Sequence, residues 1–135
     1  MKASAVRILV LAALLVSVGC GGDPGDAPGK ALAAWKLYLK KPDPSTYENF
    51  IRANRFAADQ HAMPHDAVGI EYQLRALEVM AAESARTNDL NMADDVTNRV
   101  EEIERHDLVG VYDETAPGAR DRLAAAKSRA AAVTK

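Results

Sequence analysis

Cysteine is nearly missing from this chain of 135 residues: Cys20 stands alone, so no intrachain disulfide can form. Aromatic side chains make up only 5% of the sequence, and no segment carries the sustained alternation of a half-buried strand. There is no Gly-rich phosphate loop, no Cys/His spacing of a zinc site and no Ser in a tight nucleophile turn near His61, His65 or His106. The chemistry therefore reads as non-enzymatic, with no cofactor required for folding. An excess of positive charge is absent too, since 17 Lys and Arg face 19 Asp and Glu. Without clustered cations to displace counterions from phosphates, the chain has no electrostatic footprint for nucleic acid. Finally, the longest apolar run, Ile8 to Val18, falls well short of the ~20 residues that cross a bilayer core as a helix.

What is present is ordinary for one globular domain: 48% apolar and 27% charged residues. Its beginning is not ordinary. Residues 1–19 have a positive start at Lys2 and Arg7, the short apolar run, and small residues before a cut site, which is the layout of an export signal. At that site Ser17, Val18 and Gly19 precede Cys20. The tetrad resembles the lipobox of bacterial lipoproteins, with Val18, Gly19 and Cys20 in the usual positions and Ser17 where Leu is commoner. The resemblance covers the first 20 residues and implies that Cys20 becomes the first residue of the mature chain, its sulfur carrying a diacylglyceryl thioether. A thiol is the natural nucleophile for that step, and Gly19 leaves the backbone open to the modifying enzymes. Two or three acyl chains at about 0.8 kcal/mol per methylene hold a protein firmly on a membrane. Gly21, where an Asp would favour retention in the inner membrane, implies an outer-membrane location facing the periplasm in a Gram-negative cell.

Residues 20–29 combine the modified cysteine with GGDPGDAPG, a Gly- and Pro-rich stretch too poor in apolar groups to order itself. It reads as a tether. From Lys30 to Lys135 the spacing predicts an all-α bundle of four to five antiparallel helices, with a solenoid-like stack of helical hairpins as the alternative, although the 34-residue tetratricopeptide pattern is missing after Trp35. The first helix should bury Leu32, Trp35 and Leu39, with Ala31 and Tyr38 beside them, and end at Pro42 and Pro44. A capping box of Ser45 and Glu48 should start the second, which turns Tyr47, Phe50, Ile51, Ala57 and Ala58 inward and runs to about Gln60. The third, Asp66 to Thr87, has two apolar faces: Val68, Tyr72, Ala76, Val79 and Met80 on one, Ile70, Leu74, Leu77 and Ala81 on the other. It should be central. A fourth helix ends near His106 with the stripe Leu90, Ala93, Val96, Val100 and Ile103. After a Gly- and Pro-bearing connection, a fifth from Ala119 to Val133 uses Leu123, Ala126, Ala130 and Val133.

Three clusters qualify as candidate sites. His61, Met63 and His65 alternate between Asp59 and Asp66; in an extended segment they would share one side, and imidazole with thioether suits copper. Pro64 and Asp66 equally fit an ordinary helix start. In the acidic fourth helix, Asp89, Asp94 and Asp95 near the start favour the helix dipole, while Glu101, Glu102 and Glu104 read as a solvated face; the alternative is an acidic dock for a basic partner. The basic tail, Arg120, Arg122, Lys127, Arg129 and Lys135, can lie on anionic headgroups or pair with the acidic helix. The first reading is an envelope lipoprotein whose helical domain binds another envelope protein as an accessory or assembly factor. Pilotins, the small helical lipoproteins that assist secretin assembly, are similar in size and class. The second is an extracytoplasmic binder of copper or a small ligand at the His61 to His65 turn.

Overall fold

The computed structural model describes residues 26–133, and among these there are six helices and no strand. They are α1 (Ala27–Lys40), α2 (Pro44–His61), α3 (Ala67–Thr87), α4 (Leu90–Arg105), α5 (Val109–Thr115) and α6 (Ala119–Ala131). The fold is an all-α bundle. The export signal, Ser17 to Cys20, most of the tether and Lys135 lie outside the described residues.

Local chemistry sets each boundary. α1 begins at Ala27, inside the stretch expected to be tether, with Pro28 in the first turn where its missing N–H breaks no intrahelical bond. Pro44 likewise opens α2 instead of merely ending α1. The cap is Asp43, not Ser45: its carboxylate accepts from the Thr46 amide at 2.8 Å, and the Thr46 hydroxyl accepts from the Asp43 amide. Asp66 caps α3 by accepting from the amides of Gly69 and Met63. A Cβ at Gly69 would press on the Met63 carbonyl, so this tight turn holds glycine. Asn88 ends α3 in the left-handed conformation that its side chain tolerates, and Asp89 at once caps α4.

The centre of the bundle is α3, as its two apolar faces predict. Ile70, Leu74, Leu77, Met80 and Ala81 meet Ala93, Val96, Val100 and Ile103 of α4 and Ala119, Leu123, Ala126 and Ala130 of α6 in the main core. The opposite side supplies Tyr72 and Val79 to two smaller clusters beneath α1 and α2. Val68 departs from the expected face and is exposed. A further departure lies between Asp107 and Gly118, where the expected loop contains α5 and sends Tyr112 into the core.

The inward side of α1 also differs from expectation. Ala27, Ala31, Ala34 and Tyr38 are buried, whereas Leu39 is 55% exposed and Leu32 and Trp35 are half-buried. Small residues let α1 lie close along α2, with Ala27 and Ala31 against Ala57, and Ala34 and Tyr38 against Phe50. The register is fixed by a buried polar contact: the Tyr38 hydroxyl donates to Glu83 Oε1 at 2.9 Å, and Arg86 donates to both Glu83 oxygens. The hydrogen bonds from Arg86 hold the Glu83 carboxyl below its usual pKa, and burial with the neighbouring carboxylate raises that of Tyr38.

Candidate functional site

Helices α2 and α4 both seat on α3 but scarcely touch each other. Between them runs an open groove of about 1020 Å³. One wall is the α2 stripe Tyr47, Ile51, Arg55 and Ala58, recurring every three to four residues, continued by the cap residue Ala62. The floor is Tyr72, Gln73, Ala76, Leu77 and Met80 of α3. The facing wall is polar, with Asp95, Asn98, Arg99, Glu102 and His106 of α4. Tyr47, Ile51 and Ala58 are half-buried because they border this groove instead of sinking into the core.

The polar wall is largely self-neutralised. Arg99 Nε donates to Asp95 at 3.2 Å, and Glu102 meets both Arg105 and His106 Nε2. Opposite, Asn54 is only 6% exposed and lines the groove. Its Nδ2 donates to the Tyr72 carbonyl at 3.1 Å, whereas Oδ1 has no partner among the described residues and stands as an acceptor. Tyr112 also lines the groove, and its hydroxyl donates to Gln73 Oε1 at 2.6 Å.

The His61 to His65 segment is not extended. His61 is the last residue of α2, Met63 and Pro64 follow in a turn, and His65 has φ 66°, so the alternation that would align three side chains is broken. The fold instead places Met63, His65 and His106 in the lining of the groove, with the His65 ring 6.1 Å from that of Tyr112, and His61 is not part of that lining. Among the described residues no group of three His, Cys, Asp or Glu side chains stands close enough to hold a metal ion. The arrangement of His106 with this turn was invisible from spacing, since 41 residues separate it from His65.

The basic tail resolves into pairs. Arg122 donates to Glu71 at 2.7 Å and to Glu78 at 2.6 Å, bolting α6 to α3, and Lys127 meets Glu104 at 2.9 Å on α4. Burial opposes ionisation of Glu71, but the hydrogen bonds and charge of Arg122 and Arg75 outweigh it and hold its pKa below the usual carboxylate value. Thus part of the tail pairs with carboxylates, of α3 as well as of the acidic helix. Among the described residues no helix is long and apolar enough to cross a membrane. No family model, curated protein or solved structure matches the chain.

Proposed function

We propose that this chain is a lipid-anchored protein of the bacterial envelope that acts by binding: its groove receives one amphipathic helix of another envelope protein. The observation that carries the reading is the open groove between α2 and α4, two helices that both seat on α3 and scarcely touch each other. The lined stripe from Tyr47 to Ala62 is about 22 Å long at 1.5 Å per residue, the length of a four-turn helix. An incoming helix would lay apolar residues on the half-buried Ile51, Ala58 and Ala76 and turn polar ones toward Asp95 and Glu102, the usual helix-in-groove mode.

The lipobox-like Ser17 to Cys20 supports the anchor, and Gly21 after it supports an accessory or assembly role at the periplasmic face of the outer membrane in a Gram-negative cell. A photoreactive residue at Arg55, compared with one at exposed Ala124 on α6, tests the groove in intact cells. A single envelope protein captured from position 55 and not from 124, and lost on Ile51→Arg, is the expected result. Equal capture from both positions ends the reading.

A further inference from the structure

The charges of α1 differ from those of every element after it. Between Ala27 and Pro42 there are four lysines and no acid, whereas residues 42–135 hold 11 basic and 17 acidic side chains. The helix is also the first element after Cys20. Only Gly21 to Asp26 intervene, and six residues extend at most about 20 Å.

The outward face of α1 is built from leucine and lysine. With 100° per residue, Lys36 and Lys40 point directly away from the buried stripe Ala27, Ala31, Ala34 and Tyr38. Leu39 flanks them on one side and Leu37 on the other, 55% and 46% exposed. About half of each leucine is left open to solvent among the described residues. Long lysine stems that lie along apolar surface while the ammonium reaches a headgroup suit a lipid–water boundary.

We propose that this face of α1 is a second attachment point, lying on an anionic phospholipid surface beside the acylated cysteine. The inference rests on the anchored reading above and adds an orientation to it. Lysines within a Debye length of about 8 Å feel the negative headgroups, and the acidic remainder is repelled. One lipid anchor on a short tether leaves the domain free to tumble; an anchor together with a basic face fixes which side meets the bilayer. The groove wall belongs to α2, the helix along which α1 packs, so the same contact sets how the groove is presented.

The experiment uses the lipidated full-length protein, purified from membranes and reconstituted on vesicles. Because acylation occupies Cys20, Leu39→Cys supplies the one free thiol for a spin label, and Ala124→Cys on the exposed side of α6 serves as reference. On vesicles containing phosphatidylglycerol, the label at 39 should be shielded from a water-soluble nickel chelate while the label at 124 stays open. On phosphatidylcholine alone, both should be open. Lys36→Gln with Lys40→Gln should lower the docked-to-undocked ratio on the order of 25-fold, from about fivefold per lysine. Protein that floats with vesicles yet leaves position 39 as open as 124, or shields it regardless of headgroup charge, overturns this inference alone. Protein that does not float overturns the anchor and the inference together.

Discussion

Helices α1 and α6 lie at the two ends of the described chain, and both are alanine-rich and basic, yet their cations do opposite things. Arg122 and Lys127 of α6 reach carboxylates of α3 and α4, so two of its four cations are paired within the fold. Lys36 and Lys40 of α1 stand on a helix with no acid of its own, facing away from the domain. The two helices also grip the bundle differently: α6 inserts Leu123 between α3 and α4, whereas α1 lies flat through alanines. The lesson is that a basic run becomes informative only when the fold shows whether acids are within its reach.

The largest test of that contrast is Leu123→Ala, which empties a fully packed position of the main core and should cost about 3 kcal/mol in urea unfolding. The counterpart on α1 is Ala31→Leu. Here the helix must lift from Ala57 instead of leaving a cavity, and overpacking of this kind costs about 2 kcal/mol. A cost below that of a surface substitution would mean that α1 is loosely seated.

Arg122→Gln comes next, at about 1–2 kcal/mol, because it leaves Glu71 and Glu78 facing one another while partly exposed. Its pH dependence has a definite sign. The folded-state pKa of Glu71 is depressed, so its contribution is full above the ordinary carboxylate range and disappears as pH falls through the folded value. Wild type and variant should therefore differ at neutral pH and converge in acid, as read from urea midpoints across the pH series. Smallest of all, Lys36→Gln with Lys40→Gln should change the unfolding free energy by no more than about 0.5 kcal/mol, since both side chains face away from the fold. A loss comparable to that of Arg122→Gln would show that these lysines serve the fold after all.

The distance between sequence and structure follows the same contrast. Helices α3 and α4 were legible because Val, Leu and Ile at spacings of three and four mark a face that no other reading explains, and their cap residues Asp66 and Asp89 stand next to them. The inward face of α1 was not, because Leu32, Trp35 and Leu39 carry more hydrophobic weight than Ala27, Ala31 and Ala34. Close helix contact selects for small volume, and a hydrophobicity pattern is blind to that. Helix α5 escaped because seven residues with Gly110 among them hold a single strong anchor, Tyr112. The groove was hidden for a third reason: its walls come from helices far apart in the chain, and Tyr47, Ile51 and Ala58 look the same in sequence whether they border a core or a cleft.

Because α3 contributes to all three apolar clusters, no other helix can leave without uncovering part of it. Its amides should then be the slowest to trade hydrogen for deuterium, opening only when the whole domain does. A guest lodged beside Ala76 and Leu77 would slow that clock everywhere at once, so occupancy at one side of the molecule can be timed from the backbone of α6 at the other.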